Sequence, residues 1–94
     1  MKSVDVLGQT YKIIRVKGLT ENHSLHGLCD AESKTIHLDS KLKGKYLKRI
    51  MLHEIAHAFA FECGLCEFMD TQSSEMFAQC LSSFLDQFIL VKIK

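Results

Sequence analysis

The sequence predicts an α+β fold in which a small antiparallel β-sheet packs against two helices. Two observations predict it. Short segments with alternating apolar residues fill the front of the chain, and from Lys45 onward the apolar residues recur at three- and four-residue spacings instead. The length of 94 residues allows one domain, placed at residues 1–94, with a single compact core.

The first two strands are predicted on either side of a glycine turn. Valine and leucine before Gly8 indicate a short strand at residues 4–7, and residues 10–16 alternate well enough for a second strand. Residues 17–24 are polar and contain Gly18, so they predict a loop between the second strand and the next element.

A β-hairpin is predicted after this loop. Residues 26–30 and 35–39 carry strand-forming side chains, and the polar residues 31–34 between them suit a turn. We expect the hairpin to form an exposed edge of the sheet. His37 then lies on the strand face opposite Ile36 and Leu38, because successive side chains of a strand alternate between its two faces.

Two helices are predicted in the second half of the chain. The first ends at Gly64, a residue type that suits the C-terminal stop of a helix. Residues 65–72 connect it to the second helix, for which Asp70, Thr71 and Ser73 are candidate N-terminal caps. The apolar pairs of the second helix predict a regular buried stripe: Met76/Phe77, Cys80/Leu81, Phe84/Leu85 and Phe88/Ile89.

The charges of the chain are balanced, with 12 Lys and Arg against 11 Asp and Glu and a net charge of +1. This balance gives no reason to expect a nucleic-acid or a membrane partner. A basic cluster is interpreted as a solvated helix face, and it leaves a nucleic-acid adaptor as a minor hypothesis. The cluster consists of Lys41, Lys43, Lys45, Lys48 and Arg49.

The chain carries no recognisable secretion signal. Its longest apolar stretch, residues 55–61, is interrupted by His57 and is far too short to span a bilayer. We therefore expect a soluble, cytoplasmic protein, in which cysteines stay reduced rather than form disulfides. The four cysteines are Cys29, Cys63, Cys66 and Cys80.

The chemistry of the chain is indicated by a His-Glu-x-x-His motif on the first predicted helix. His53 and His57 are four residues apart, so their imidazoles project from one helix face and can share a tetrahedral Zn²⁺ at about 2.0–2.1 Å. Glu54 then lies next to the metal but is not one of its ligands. There it can act as the general base toward a metal-activated water and later protonate the leaving amine.

A catalytic zinc site needs a third protein ligand and one open position. The metzincin pattern would place a glycine and a third histidine where this chain has Ala60 and Cys63, so that class is rejected. We favour Glu75, in the first part of the second predicted helix, because two antiparallel helices can bring it to the metal. Glu67 and Asp70 in the connector remain alternatives, whereas Glu62 points around the first helix.

The chain resembles the small zincin-like proteins of phages and prophages, which are related in style to the ImmA/IrrE-type metallopeptidases. The similarity runs from residues 6–13 through the hairpin to the motif at residues 52–58 and to Ser74-Glu75. It implies a gluzincin-type site with His53, His57 and Glu75 as ligands and Glu54 as base. It also implies strand addition of an extended peptide substrate to the hairpin, and a bacterium or an infected host cell as the setting.

Several other residues are candidates for supporting roles. A zinc peptidase needs a donor for the oxyanion, and the candidates are His37, His26, Tyr46 and Tyr11. The spacing of Cys63 and Cys66 could also indicate a redox or zinc-knuckle motif. However, this pair ends a helix and has no second cysteine pair, so we set those interpretations aside.

The function predicted from these observations is zinc-dependent hydrolysis of peptide bonds in a protein or peptide substrate. Zn²⁺ is the expected cofactor, held by His53, His57 and Glu75, and Glu54 is the expected catalytic residue. The alternative is a non-catalytic, zinc-stabilised module that binds a partner protein through the exposed hairpin edge.

Overall fold

A computed structural model describes residues 2–88 of the chain, with side chains up to residue 87, and confirms the expected α+β class. Four strands and one short helix come first, and two long helices joined by a 3-10 turn follow. In chain order they are β1 (Lys2–Val6), β2 (Gln9–Val16), α1 (Leu19–His23), β3 (Gly27–Asp30), β4 (Thr35–Asp39), α2 (Gly44–Glu62), a 3-10 turn (Leu65–Phe68) and α3 (Thr71–Phe88).

The four strands form one mixed sheet in the order β1-β2-β4-β3. The pairs β1/β2 and β3/β4 are antiparallel, as expected, and β3 is an edge strand. The central pair β2/β4 is parallel, with Ile13 opposite Ile36. The sheet is therefore mixed, whereas an antiparallel sheet was predicted. The reason is topological: the chain passes through α1 and β3 before β4 pairs with β2, and this long connection lets β4 run in the direction of β2.

The segment predicted as a loop contains α1. Leu19 is its only buried side chain, at 6% exposure, and this single anchor produces no helical periodicity in the sequence. The backbone N–H of Thr20 donates to Oδ2 of Asp39 at 2.8 Å, which joins this short helix to the end of β4. Gly18 precedes α1 with a φ of 77°, a left-handed conformation that glycine adopts without strain.

The core lies between the sheet and α2. Tyr11, Ile36 and Leu38 are completely buried on the inner face of the sheet, and Met51 and Ala58 of α2 pack into the same cluster. The alternation of buried and exposed residues along β2 and β4 therefore follows the two-residue period of a strand. This packing fixes the position of α2, the helix that carries the His-Glu-x-x-His motif.

Helix α3 packs on α2, and its face differs from the predicted apolar stripe. Ala78 and Ser82 are buried, whereas Met76 is 63% and Phe84 57% exposed. The predicted stripe was wrong because α3 turns a row of small side chains, which includes Ala78 and Ser82, toward α2. The row of large side chains lies beside it on the helix surface and is only partly buried. The half-buried apolar residues beside it are Phe77, Leu81 and Leu85, whereas Cys80 is exposed and the side chains of Phe88 and Ile89 lie outside the described part of the chain.

No helix within residues 2–88 combines the length and the apolar character needed to cross a membrane.

Candidate metal centre

The two histidines of the motif lie on the face of α2 that meets α3. Their ring centroids are 4.9 Å apart with the ring planes at 75°, and both side chains are about one-fifth exposed. The spacing of four residues produces this arrangement, because residues i and i+4 of a helix lie one above the other. Two imidazoles are thus held close together but remain reachable from solvent.

Glu75 of α3 completes a cluster with both histidines. Its Oε2 lies 3.1 Å from Nε2 of His53, and its Oε1 lies 3.1 Å from Nε2 of His57. Across residues 2–88 this is the group of metal-ligand side chains whose donor atoms all lie within 4.8 Å of one another. The structure therefore brings together the three residues that the sequence predicted as ligands.

The donor atoms of this cluster are near enough that small side-chain movements would bring all three residues onto one ion. Two ligand atoms that each lie about 2.0–2.1 Å from a tetrahedral Zn²⁺ are separated by about 3.3 Å. The two separations of 3.1 Å join different oxygens of Glu75, Oε2 to His53 and Oε1 to His57, whereas single donor atoms of the three residues lie within 4.8 Å of one another, so the side chains must draw closer to hold one ion. Two neutral nitrogen ligands and one carboxylate also match the donor set of a catalytic zinc site with one open position.

The surroundings of His57 favour its role as a neutral ligand. Burial lowers the pKa of His57, although the negative charge of Glu75 opposes this shift. Nδ1 of the same ring lies 3.4 Å from Oγ of Ser74, on the side away from Glu75. A ligating imidazole commonly donates its second N–H to such a neighbour, which orients the ring. Ser74, at the start of α3, belongs to the sequence resemblance, but the sequence assigns it no role.

Glu54 is buried beside the cluster, at 8% exposure, under strand β3. A Cβ built on Gly27 would lie 3.0 Å from Cγ of Glu54, so the absence of a side chain at Gly27 is what leaves room for the carboxylate. Burial raises the pKa of Glu54 to about 7 in the metal-free protein, while the neighbouring His53 opposes the shift and Glu75 adds to it. A carboxyl with such a pKa can both accept and return a proton near neutral pH.

Gly27 is a site residue that the sequence reasoning missed. The sequence places it in a hairpin strand, and the structure shows that it also lies against Glu54. A glycine inside a predicted strand is a recognised signal of close approach by another group. That signal was present in the sequence and could have identified the position.

A cleft of about 350 Å³ opens between the edge strand β3 and the metal cluster. Its lining combines a few polar side chains with a larger number of apolar ones. The lining comprises Leu25, Gly27, Leu28, Cys29, Ala31, Glu54, His57, Phe61, Cys66 and Glu75. Such a mixture of apolar walls and a few convergent polar groups is typical of a binding site.

The edge strand presents free backbone groups to this cleft. The N–H of Asp39 donates to the carbonyl of His26, so these two residues form a hydrogen-bonded pair of the β3/β4 ladder. Hydrogen-bonded pairs alternate along an antiparallel ladder, and therefore the backbone groups of Gly27 and Cys29 point away from β4. One of them is used within the chain, since the Cys29 backbone hydrogen-bonds to Glu54.

The rival carboxylates have other partners or positions. Glu62 accepts a hydrogen bond from the hydroxyl of Tyr11 at 2.5 Å and pairs with Lys34, and these contacts, Lys34 first, lower its pKa. Asp70 accepts the backbone N–H of Ser73 at 2.7 Å, which caps α3, and this contact lowers its pKa. Glu67 lies in the 3-10 turn, outside the cluster.

The four candidate oxyanion donors do not line the described cleft. Tyr11 is completely buried and donates to Glu62, and its pKa is raised by burial. His26 and Tyr46 contact each other with ring centroids 5.5 Å apart and line a different cavity, beside the start of α2. His37 lies on β4, which is an inner strand, whereas an edge strand was expected. Its Nδ1 is buried and has no hydrogen-bond partner among the described residues.

The cysteines are free thiols in the described structure. Cys29 and Cys66 line the cleft, and burial raises the pKa of Cys29 to about 12, with the charge of Glu54 adding to the shift. A thiol with so high a pKa stays protonated at neutral pH and is a poor nucleophile or metal ligand. Cys29 and Cys66 therefore act as apolar lining of the cleft rather than as part of the cluster.

Comparisons of the chain with protein-family models, with characterised proteins and with solved structures returned no match.

Proposed function

We propose that this protein is a zinc-dependent metallopeptidase of the gluzincin type, which hydrolyses peptide bonds in a protein or peptide substrate. The observation that carries the proposal is the combination of the His53, His57 and Glu75 cluster with the buried Glu54 beside one cleft. A carboxyl group is costly to bury without a partner or a task. The sequence resemblance to zincin-like phage and prophage proteins and a cytoplasmic setting belong to the same proposal.

The proposed reaction divides its tasks among the residues of this site. When bound, Zn²⁺ supplies a Lewis acid that polarises the scissile carbonyl and lowers the pKa of water. His53, His57 and Glu75 hold the ion. Glu54 takes the proton of the attacking water on its carboxylate and passes it to the nitrogen of the leaving amine, so that no net proton is consumed by the enzyme.

The edge strand β3 supplies a way to hold an extended substrate. Backbone groups of Gly27 point away from β4 beside the cleft, so a peptide can pair with them in the manner of an added strand. The apolar side chains of Leu25, Leu28 and Phe61 line the same cleft and can contact substrate side chains. Main-chain pairing then orients the scissile bond over Glu54 and the metal cluster.

The test compares the wild type with Glu54→Gln after both are loaded with zinc. Each is incubated with a proteome-derived peptide mixture, and new peptide termini are identified by mass spectrometry. We expect specific cleavage by the wild type and a loss of about 10²-fold or more in Glu54→Gln, since general base catalysis contributes about that much. The zinc content of both proteins, measured by plasma mass spectrometry, should be equal.

A second candidate function is favoured by the free backbone groups of the β3 edge. In it the zinc is structural, and the edge pairs with a strand of a partner protein without hydrolysis. Zinc binding by the wild type together with the absence of any cleavage that depends on Glu54 would contradict the metallopeptidase proposal and support this binding module.

A further inference from the structure

A second, polar groove lies between α2 and α3, next to the metal cluster on the side of the α2 N-terminus. Its volume is about 340 Å³. Arg49 lies one helical turn before His53, and Gln79 lies one turn after Glu75, so the groove continues both helix faces that hold the proposed ligands. The other lining residues are Leu52, Ser82, Ser83, Asp86 and Gln87.

The groove holds one positive charge that no carboxylate neutralises. Arg49 is exposed, and its guanidinium has no hydrogen-bond or ion-pair partner within residues 2–88. The carboxylate of Asp86 pairs instead with Lys48, whose Nζ lies 3.0 Å from its Oδ1. Gln79 and Ser83 add side-chain hydrogen-bond donors to the walls of the groove.

We propose that this groove binds a carboxylate of the substrate and that Arg49 is a specificity-determining residue. The proposal rests on the metallopeptidase function proposed above. The planar guanidinium of arginine matches a carboxylate with two parallel hydrogen bonds. Asp86 lies in the same groove, but its ion pair with Lys48 offsets its charge, so Arg49 can bind a singly charged carboxylate more readily than a dianionic phosphate. The carboxylate comes either from an Asp or Glu side chain or from the C-terminus of the peptide.

The helix geometry limits where this carboxylate lies in the substrate. Residues one turn apart on a helix have Cβ atoms about 5–6 Å apart, which separates Arg49 from His53. An extended peptide advances about 3.4 Å per residue. Since the side chains of Arg49 and of the substrate add to this separation, the recognised carboxylate lies within a few residues of the scissile bond.

Binding of defined peptides to zinc-loaded Glu54→Gln tests the proposal without cleavage. One series of labelled peptides is acetylated and amidated, with a single glutamate moved one position at a time. A second series has glutamine in its place, and a third has glutamine with a free C-terminal carboxylate. Fluorescence anisotropy should show binding at least about tenfold tighter for the best glutamate peptide or for the free-carboxylate peptide than for its glutamine counterpart.

Variants of Arg49 identify the residue responsible. In the Glu54→Gln background, Arg49→Gln should abolish the tenfold preference, and Arg49→Glu should transfer it to peptides with lysine at the same position. Lys45→Gln is the matched control, since it removes the same charge from an exposed position of α2 that does not line the groove. It should keep the preference.

The outcomes separate this inference from the proposed function. Peptide binding without a carboxylate preference, or a preference that survives in Arg49→Gln, overturns the role of Arg49 and leaves the metallopeptidase intact. A preference that depends on Arg49 in a protein whose wild type cleaves nothing supports the carboxylate site and contradicts the hydrolysis. The absence of any peptide binding overturns the carboxylate site, and hydrolysis is then judged by the cleavage experiment alone.

Discussion

The backbone of Gly27 lies directly against the side chain of Glu54. A Cβ atom built at Gly27 would stand 3.0 Å from Cγ and 3.2 Å from Oε2 of Glu54, and 2.8 Å from Cγ2 of Ile50. Real Cβ atoms do not tolerate such separations without movement of the neighbour. The edge strand therefore sets the position of the proposed catalytic base, and a glycine is what permits both to occupy this space.

Gly27→Ala should displace the Glu54 carboxylate without touching the proposed metal ligands. We expect the cleavage rate to fall by less than the roughly 10²-fold that a displacement of about 1 Å can cost, since Glu54 has to move by only a few tenths of an ångström. Overpacking should also lower the free energy of unfolding by about 1–3 kcal/mol. Rates from peptide cleavage and zinc content from plasma mass spectrometry are the measurements, and the zinc content should not change.

A control for this variant separates stability from catalysis. Gly8→Ala introduces strain at a φ of 86°, in a turn where nothing lies within 4 Å of the added Cβ. It should destabilise the fold by about 1–2 kcal/mol and leave the cleavage rate unchanged. A Gly27→Ala rate equal to that of Gly8→Ala would show that the contact with Glu54 has no catalytic consequence.

Glu75 should prove to be the third metal ligand. We expect about one zinc per chain in the wild type and its loss in Glu75→Ala and in His57→Ala, as measured by plasma mass spectrometry after dialysis. Glu67→Ala should keep its zinc. Asp70→Ala should also keep it, but should lower the free energy of unfolding by about 1 kcal/mol because Asp70 caps α3.

The two possible failures of this prediction have different meanings. Zinc retained in Glu75→Ala would move the third ligand elsewhere while leaving the histidine motif intact. A wild-type protein that holds no zinc, even after zinc is supplied, would contradict the enzyme proposal as a whole. That second result would leave the binding of a partner protein through the edge strand β3 as the remaining hypothesis.

Local patterns predicted those parts of the fold that depend on local physics. The alternation in β2 and β4, the hairpin turn between β3 and β4 and the end of α2 near Gly64 all follow from neighbouring residues. The pairing of His53 with His57 belongs to the same class, because a four-residue spacing on a helix determines it. Each of these was predictable from a short window of sequence.

The errors lie where distant parts of the chain decide the outcome. The parallel pairing of β2 with β4 depends on the path of the chain through α1, and α1 itself depends on one buried leucine, Leu19. The orientation of α3 depends on how closely it approaches α2, which favours Ala78 and Ser82 at the contact over larger neighbours. The space that Gly27 leaves for Glu54 likewise depends on how α2 packs against β3. The sequence could therefore indicate this contact only through the presence of a glycine inside a predicted strand.

The pH dependence of stability should include a contribution from Asp39. Its Oδ2 accepts the N–H of Thr20 at 2.8 Å and its Oδ1 accepts the N–H of Lys41 at 2.9 Å. Hydrogen bonding from the Thr20 side chain first, then from the backbone of Lys41 and of Thr20, lowers the pKa of Asp39 from 3.8 to about 2. Because the folded state favours the ionised form, this contribution is fully present above the unfolded pKa and is lost as the pH falls through the folded pKa.

Asp39→Asn tests this contribution. The amide does not titrate and one of its two acceptors is replaced by a donor, so the variant should be less stable than the wild type at neutral pH. Between about pH 4 and pH 2 the wild type should lose stability more steeply than the variant, and the two curves should converge. Urea unfolding across this range provides the comparison, and parallel curves would assign the acid sensitivity to other carboxylates.

The hydrogen bond between Tyr11 and Glu62 should stabilise the junction of the sheet with the end of α2. The hydroxyl of the completely buried Tyr11 donates to Oε2 of Glu62 at 2.5 Å, and Lys34 pairs with the same carboxylate. Tyr11→Phe removes the donor but leaves the ring and the lysine partner in place. We expect the free energy of unfolding to fall by about 1–2 kcal/mol, the lower range for a hydrogen bond to a charged group.

Tyr46→Phe is the matched control for this substitution. It removes the same hydroxyl from a tyrosine that is 44% exposed and for which the described structure gives a ring contact with His26 rather than a hydrogen bond. Urea unfolding of both variants should show a change within about 0.5 kcal/mol for Tyr46→Phe, as for most surface substitutions. Equal losses in the two variants would mean that Lys34 alone satisfies Glu62 and that the Tyr11 hydroxyl contributes nothing to the junction.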